Sequence, residues 1–331
     1  MNIREEIRRN LRVNKIIVAQ LDPNGLCNSK CWYCPVKYKG NPKEFVNQMS
    51  INDVDHILKN ISNSSLLSNN FTDILLNNFN EIFLYREFSG LIELLNKYNF
   101  TTLILSNGTT ITNDHIEVIL NNKTVIRELW IHIPIFDKEL WMLQTGLSSD
   151  LFDKLCENLD KLHGNIKVSI HFSELNDKND SQIQEKYINS IILPYVKWEE
   201  SKRNFISRYP KFSIKFDKLI DRAGILSEYS AFKNDNVLPL NESDIVVGCK
   251  FLYDNVSRLF NWVMVNSVGD LFLCCNDFDM KHRFGNLLNQ TLDECWYSED
   301  HIDAILNIFN DNCRNCKFRL LGSTKQRERL I

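Results

Sequence analysis

The sequence predicts an α/β protein built from parallel strands and followed by a smaller cysteine-rich segment. Three observations support this. Apolar, β-rich segments alternate with helical patterns, this alternation stops near Asp217, and a tail without any βα repeat follows. Alternating strands and helices favour either an α/β barrel or an open doubly wound sheet. We expect one domain over residues 1–240 and a second, α+β domain over residues 241–331.

Six segments are predicted as strands, with helices between them. The first, Lys15–Leu21, is an apolar run that ends in a turn of sequence Asp-Pro-Asn-Gly. The other predicted strands are residues 73–76, 101–105, 128–133, 166–172 and 212–216. The predicted helices are residues 51–61, 85–98, 112–120, 149–163 and 181–207, the last of them broken at Pro194.

The composition excludes several classes of protein. The net charge is -3, from 39 basic and 42 acidic residues, so no basic field is available to bind nucleic acid. The N-terminus resembles no secretory signal, and no apolar run approaches membrane-spanning length. We therefore expect a cytoplasmic protein with no membrane partner. Ten cysteines in a reducing compartment favour metal or cluster ligation over disulfides.

Three of these cysteines follow the first predicted strand. Cys27, Cys31 and Cys34 have the spacing C-x3-C-x2-C. Three thiolates can hold three irons of a four-iron cluster and leave the fourth iron open to another chelator. The loop belongs to the carboxyl ends of the strands, where α/β folds collect their ligands. The alternatives are three unrelated buried cysteines or a zinc site, for which no fourth protein ligand lies nearby.

With Tyr33 as the aromatic residue before Cys34, this segment resembles the signature C-x3-C-x-aromatic-C of the radical SAM superfamily. The resemblance implies a partial (β/α)6 TIM-like barrel with a [4Fe-4S] cluster whose open iron is chelated by S-adenosylmethionine. It also implies one-electron cleavage of that cofactor to a 5′-deoxyadenosyl radical, which abstracts hydrogen from a substrate. An electron donor such as flavodoxin or ferredoxin is implied as well.

Later segments extend the resemblance to the S-adenosylmethionine site. Asn80-Glu81 resembles the family's Asn-Glu-Pro element, with Ile82 in place of the proline, and Ser106-Asn107 begins a turn similar to its Thr-Asn-Gly-Thr turn. His132 falls where relatives place a serine near the ribose, although a histidine there is more often a packing residue. The cofactor-binding residues implied by the resemblance are Tyr33, Asn80, Glu81, Ser106, Asn107 and His132.

A second set of cysteines lies in the tail. Its members are Cys249, Cys274 or Cys275, Cys313 and Cys316. We expect a hairpin in which Trp262–Val265 pairs with Leu271–Leu273. By itself this set fits a zinc ribbon-like site equally well.

Beside the first motif, the tail resembles the twitch domain, a shortened SPASM domain. The resemblance implies one auxiliary [4Fe-4S] cluster held by Cys249, Cys274, Cys313 and Cys316. The remaining cysteines, Cys156 and Cys295, are expected to be small core residues.

A cluster with four protein ligands has no open iron for a substrate, so electron transfer is its natural role. The parallel within the family is 2-deoxy-scyllo-inosamine dehydrogenase, which oxidises a cyclitol alcohol to a ketone. The resemblance thus implies a radical SAM oxidoreductase that dehydrogenates a sugar- or cyclitol-like small molecule. Arg222, after the sixth strand, is the candidate catalytic residue that orients the substrate, and a solvated loop arginine is its alternative.

Two other functions stay open. The first is a radical SAM maturase of peptides or proteins, which the short segment Met1–Asn14 before the first strand and the lack of cysteines after Cys316 disfavour. The second is a non-catalytic iron–sulfur or zinc protein. The three-ligand spacing disfavours it, because an electron carrier gains nothing from an exposed iron.

Overall fold

A nine-stranded, mostly parallel sheet organises the protein. The computed structural model describes residues 3–76, 78–174, 195–218, 221–226, 240–241 and 244–322. The strands of this sheet, in chain order, are β1 (Val18–Leu21), β2 (Asp73–Leu75), β3 (Thr101–Ser106), β4 (Ile126–His132), β5 (Val168–Glu174), β6 (Ser213–Lys218), β10 (Trp262–Val265), β11 (Asp270–Phe272) and β12 (Arg283–Asn286). Their spatial order is β12-β11-β10-β1-β2-β3-β4-β5-β6.

The six strands from β1 to β6 are parallel to their neighbours. The α-helices of the chain are α1 (Ile3–Val13), α2 (Pro35–Lys39), α3 (Ile51–Ser62), α4 (Phe88–Lys97), α5 (Asn113–Asn121), α6 (Lys138–Thr145), α7 (Ser149–Leu162), α8 (Tyr195–Arg208), α9 (Leu292–Trp296) and α10 (Glu299–Asn310). Such βα repeats confirm the predicted α/β fold with a partial barrel. Residues 181–194 of the last predicted barrel helix lie outside the described residues.

The two faces of β4, β5 and β6 differ in polarity. Ile131, Ile170 and Phe172 are buried in the apolar core together with helix residues such as Leu155 and Phe205. The alternate residues point to the other face, because side chains of a strand alternate between its two sides. That face carries polar side chains from all three strands: Glu128, His132, Ser169, His171, Ser173, Ser213 and Asp217. The sheet therefore has an apolar outer face and a polar inner face in this region.

The C-terminal strands continue this sheet. β10 pairs in parallel with β1, and β11 and β12 add antiparallel strands beyond it. The predicted hairpin is thus confirmed. The other strands, β7 (Ile245–Cys249), β8 (Leu252–Tyr253), β9 (Val256–Ser257) and β13 (Arg319–Gly322), form the pairs β7–β13 and β8–β9. The division at residue 240 remains a prediction, and the main sheet contains strands from both sides of it.

Two differences from the predicted elements have clear causes. The helix expected from residue 85 begins at Phe88, because residues 82–84 form a separate 3₁₀ turn in which the Phe83 N–H is capped by the Glu81 side chain. The charged N-terminal segment is helix α1, whose Leu11 carbonyl accepts a hydrogen bond from Trp296 Nε1 at 3.2 Å. Its partners lie at the other end of the chain, so local sequence did not reveal it.

The two remaining cysteines are core residues, as expected. Cys156 in α7 and Cys295 in α9 are buried in the main apolar cluster. In the part of the chain that the structure describes, no helix is both long and apolar enough to cross a bilayer.

Buried His301 makes the stability of this fold depend on pH. Its ring stacks on Phe284 at a centroid distance of 3.9 Å, and its Nδ1 lies 2.8 Å from the carbonyl oxygen of Trp296. Burial lowers the pKa of His301 to about 4. The unfolded chain binds this proton more readily, so stability is lost as the pH falls through the ordinary histidine range.

We expect the wild-type free energy of unfolding to fall by about 1 kcal/mol between pH 7.5 and 5.5 because of His301. The variant His301→Gln should lack this pH-dependent fall in the free energy of unfolding. The variant His56→Gln, which changes an exposed residue of α3, should retain it. Urea unfolding at the two pH values measures the difference. An identical pH dependence in wild type and His301→Gln would contradict the assignment.

Candidate functional site

The loop that carries Cys27, Cys31 and Cys34 is fixed against the end of α6. Ser29 Oγ and Lys30 N both donate to the carbonyl oxygen of Thr145, at 3.1 and 2.8 Å. Gly146 follows with φ 69°, and a Cβ atom there would lie 3.2 Å from Lys30 Cβ. A glycine is therefore favoured at this position by both its backbone angle and the close approach. Cys34 ends the loop at the start of α2.

The three thiols of this loop are half-buried, in an environment that disfavours their ionisation. Burial raises the pKa of all three, to about 12 for Cys34. Neighbouring negative charge adds to this effect, because the charges of Glu81, Cys31 and Cys34 all raise the pKa of Cys27. Three half-buried thiolates need positive charge close by, which cluster irons provide. This donor set therefore fits an iron–sulfur cluster.

Glu81 ties this loop to the neighbouring strand ends. Its carboxylate accepts hydrogen bonds from Ser106 Oγ and Asn107 N, both at 2.8 Å, and from Phe83 N at 3.3 Å. Its backbone N donates to the carbonyl oxygen of Leu26 at 2.7 Å, immediately before Cys27. Burial raises the pKa of Glu81, although these hydrogen bonds oppose the shift. Glu81 thus connects the segment after β2 to the end of β3 through its carboxylate and to the cysteine loop through its backbone N–H.

A chain of amide hydrogen bonds continues across the same edge. Asn107 Nδ2 donates to Asn28 Oδ1 at 2.8 Å, and Asn28 Nδ2 donates to Thr109 Oγ1 at 3.0 Å. Asn80 Nδ2 is buried and has no hydrogen-bond partner among the described residues. Such an unpaired buried donor suits a polar ligand. The structure therefore brings the predicted residues Asn80, Glu81, Ser106 and Asn107 to one place beside the cysteine loop.

Tyr33 and His132 also meet at this edge. Tyr33 Oη lies 3.1 Å from His132 Nδ1, and His132 Nε2 lies 3.4 Å from Ser173 Oγ. Burial lowers the pKa of His132 to about 4, so its ring is neutral near pH 7. His132 thus links the cysteine loop to the ends of β4 and β5.

The auxiliary cysteines converge from three segments. Cys249 ends β7, and Cys274 and Cys275 follow β11. Cys313 lies within the 3₁₀ turn Asn312–Asn315 after α10, and Cys316 follows that turn. Burial raises the pKa of Cys249 to about 11, and the charges of Cys316 and Cys275 raise it further. Backbone N–H groups point at these sulfurs, from Phe251 to Cys249 and from Asn276 to Cys274, both at 3.4 Å. Sulfurs that accept such hydrogen bonds suit cluster ligation.

Neither set of thiols is arranged for a single ion. Across the described residues, which contain all ten cysteines, no group of three or more His, Cys, Asp or Glu side chains lies close enough to hold one metal ion. A four-iron cube places its ligands around a much larger centre than one zinc ion does. Both donor sets are compatible with the larger group.

Arg222 lies between the two sets of cysteines. Its positive charge opposes the upward pKa shift that burial gives Cys34, and it also acts on Cys275 and His132. Its guanidinium centre is 5.5 Å from the Phe79 ring. Arg222 and Ala223 have positive φ angles of 51° and 59°, so the loop turns sharply here. The predicted catalytic cation is therefore close to the predicted cofactor residues.

A pair formed by buried His171 and partly exposed Asp217 was missed by sequence reasoning. His171 on β5 is 5% exposed, and its Nδ1 lies 2.9 Å from Asp217 Oδ2 on β6. His171 Nε2 is buried without a hydrogen-bond partner among the described residues. The sequence contains both residues at inward positions of neighbouring strands. A single polar residue in a short strand nevertheless indicates no function by itself. The function becomes apparent only when the register of neighbouring strands brings two such residues into contact.

Comparisons with known proteins agree with this arrangement. Residues 257–317 match the SPASM family, an iron–sulfur cluster-binding domain. No curated protein sequence matches the chain. Among solved structures, BtrN in complex with AdoMet and 2-DOIA is similar over 94% of this chain and 95% of its own, with 14% identity and a TM-score of 0.51.

Two further structures are similar as well. Streptococcus suis SuiB bound to the precursor peptide SuiA covers 95% of this chain and 72% of its own, with 16% identity and a TM-score of 0.56. The structure of anSMEcpe with bound AdoMet covers 91% and 88%, with 16% identity and a TM-score of 0.58.

The chain therefore has the fold of the radical SAM enzymes. More narrowly, it carries a C-terminal iron–sulfur cluster-binding domain of the SPASM type, and the resemblance found in the sequence is confirmed. The comparisons also agree with the expected cofactor classes, because the matched domain family binds iron–sulfur clusters and two of the similar structures contain AdoMet. The individual site residues remain predictions that geometry supports.

Replacing Glu81 tests how this edge is held together. Glu81→Ala leaves the buried Ser106 hydroxyl and Asn107 N–H without their acceptor, so we expect about 2–4 kcal/mol lower stability and much weaker S-adenosylmethionine binding. Equilibrium dialysis of the anaerobically reconstituted protein without reductant measures that binding. The exposed residue Glu87 provides the control variant Glu87→Ala, which should bind as the wild type does. Unchanged binding in Glu81→Ala would refute the role given to this carboxylate.

Proposed function

We propose that this protein is a radical SAM oxidoreductase that dehydrogenates an alcohol of a small, sugar- or cyclitol-like molecule. The observation that carries the proposal is that the His171–Asp217 pair lies next to His132, whose ring contacts Tyr33 of the cysteine loop, with the charge of Arg222 acting on the same histidine. Cys27, Cys31 and Cys34 would hold one cluster, and Cys249, Cys274, Cys313 and Cys316 the other. A cluster-containing enzyme belongs in a reducing compartment, which agrees with a cytoplasmic location.

The bound groups would supply one-electron cleavage of S-adenosylmethionine and a site that accepts one electron from the substrate. The residues of this chain must then bind the cofactor, orient the alcohol and remove its proton. Asn80, Ser106 and Asn107 offer amide and hydroxyl groups to the cofactor beside the cysteine loop. Tyr33 and His132 close the same edge through their 3.1 Å contact.

His171 is suited to accept the proton of the substrate hydroxyl. Burial alone raises the pKa of Asp217, but the hydrogen bond with His171 and the charge of Lys215 help to make the net shift downward. An ionised Asp217 that accepts from Nδ1–H orients the His171 ring so that Nε2 can act as an acceptor. This is the arrangement of a general base with its orienting carboxylate.

Arg222 is suited to orient the same hydroxyl. Burial lowers the pKa of His132, and the charge of Arg222 adds to that shift, so Arg222 lies within electrostatic range of the inner end of β4. A guanidinium here favours the alkoxide character that develops as the proton leaves. His171 Nε2 would take the proton of the hydroxyl, while the bound groups would supply the hydrogen-atom abstraction and the electron acceptor that a two-electron oxidation needs.

A peptide-modifying function is the second candidate. SuiB with a precursor peptide and anSMEcpe with a bound peptide are as similar in fold to this chain as BtrN is. The substrate therefore has to be identified by experiment. Anaerobic incubation with a panel of cyclitols, aminocyclitols and short peptides, followed by mass spectrometry, separates a loss of two hydrogens on a small molecule from modification of a peptide.

Formation of 5′-deoxyadenosine tests the proposed chemistry itself. With reconstituted clusters, S-adenosylmethionine and dithionite, wild type should form 5′-deoxyadenosine and Cys31→Ala should form none, because three thiolates are needed to leave one open iron in place. Cys156→Ala, which removes a thiol outside both proposed sites, should remain active. No product from wild-type protein that holds both clusters would reject the enzyme proposal.

The variant His171→Gln tests the proton acceptor. Glutamine keeps a polar side chain of similar reach but cannot accept the proton, so we expect about a hundredfold slower ketone formation. Cleavage of S-adenosylmethionine without substrate should continue at the wild-type rate. His56→Gln serves as the matched control. Ketone formation by His171→Gln at the wild-type rate would assign the proton transfer to another group.

A further inference from the structure

Arg258 is a buried cation beside the auxiliary cysteines. Arg258 is only 4% exposed, and its Nη1 atom donates to Cys275 Sγ at 3.1 Å. Nη2 contacts a second sulfur, Met264 Sδ, at 3.5 Å. Its Nε is buried and finds no hydrogen-bond partner among the described residues. Two sulfur atoms are thus the hydrogen-bond acceptors seen for this guanidinium.

Two aromatic rings enclose the guanidinium. Its central carbon is 5.0 Å from the Phe251 ring and 4.6 Å from the Trp262 ring. Cation–π contacts of this kind offset part of the loss of hydration. They do not neutralise the charge, and a buried cation is costly without an anionic partner.

The available anions are the auxiliary thiolates. In the described part of the chain, no carboxylate lies within ion-pair distance of Arg258, whose hydrogen bonds go to sulfur atoms. The charges of Cys275, Cys274 and Cys249 all favour the protonated guanidinium, although burial opposes it. The sulfur that Arg258 contacts belongs to Cys275, which adjoins the expected ligand Cys274 and is the alternative ligand at this position. Arg258 is therefore placed to stabilise negative charge at this site, directly if Cys275 is the ligand and through the adjacent sulfur if Cys274 is.

We propose that Arg258 raises the reduction potential of the auxiliary cluster and so makes it an effective electron acceptor. The potential of a protein-bound cluster depends on the local charge, on hydrogen bonds to its sulfurs and on solvent exposure. Gaining one electron makes the cluster more negative, and an adjacent cation with an N–H donor stabilises that reduced state most. The inference rests on the proposed function, because it requires a cluster at this site and an electron from the oxidised substrate.

The test measures the auxiliary cluster alone. The full-length chain with Cys27→Ala, Cys31→Ala and Cys34→Ala keeps only the auxiliary ligands. After anaerobic reconstitution, iron and sulfide are counted, and the cluster is titrated with reductant while the reduced state is followed by electron paramagnetic resonance. The same titration is made with Arg258→Met, which keeps an apolar chain of similar length, and with Arg258→Lys, which keeps the charge.

We expect Arg258→Met to weaken the electron affinity of the cluster at least about tenfold, which is about 59 mV for a one-electron couple. Arg258→Lys should retain most of the wild-type potential. Arg283→Met is the matched control, because Arg283 lies on β12 of the same domain but pairs with Glu44 and Asp270. Its removal should leave the potential unchanged.

The contrary outcomes are distinct. A fully loaded Arg258→Met with the wild-type potential would overturn the inference while leaving the proposed function intact. Loss of the cluster from both Arg258→Met and Arg258→Lys would assign Arg258 to packing and overturn it as well. Zinc in place of iron and sulfide in the triple cysteine variant would remove both the inference and the auxiliary cluster of the proposed function.

Discussion

The parallel pairing of β10 with β1 is the contact on which the arrangement of both cysteine sites depends. Val18–Leu21 lies in register with Trp262–Val265. The cysteine loop leaves β1, and the auxiliary cysteine pair follows the hairpin partner of β10, so both sites extend from neighbouring strands of one sheet. Phe278 of the C-terminal part also packs on Phe79 at a centroid distance of 4.8 Å. Backbone pairing of this kind fixes the two sites relative to each other without any shared ligand.

The inner ends of the parallel strands concentrate polar groups that the fold alone does not require. Some of these polar groups have hydrogen-bond partners within the protein and stabilise it, as the carboxylate of Glu81 does with Ser106 and Asn107. Other polar atoms, such as Asn80 Nδ2 and His171 Nε2, are buried and have no hydrogen-bond partner among the described residues. Buried polar atoms are costly when unpaired. Their clustering at one edge therefore marks the place where a polar ligand has its contacts.

The two cysteine sets and two arginines carry opposite charges in this part of the protein. Burial makes isolated thiolates unfavourable at Cys27, Cys34 and Cys249, so the cysteines of both sets suit a positively charged iron centre. Two arginines complement them differently. Arg222 is partly exposed in the loop after β6, whereas Arg258 is buried between Phe251 and Trp262. Arg222 is suited to stabilise a transient negative charge on a substrate, whereas Arg258 is suited to stabilise a permanent negative charge on sulfur.

The sequence by itself determined the α/β class, the six barrel strands, the hairpin and both sets of cysteines. These features are local, because strand periodicity and cysteine spacing are readable within a few residues. The N-terminal helix α1 and the helix α6 that holds the cysteine loop were not predicted, since each depends on contacts with distant segments. Glu81 was predicted by its motif, but its role as the tie between three segments was not.

Only the tertiary structure decided which single polar residues act together. His171 and Asp217 lie far apart in the chain and become partners through the register of β5 and β6. Arg258 lies in a short turn without any motif, and it reaches Cys275 because β8, β9 and β10 fold around it. Pairing register and burial are properties of the assembled sheet. The sequence shows which residues are present. The packing of strands that are distant in the sequence determines which charged groups and hydrogen-bond acceptors surround each of those residues.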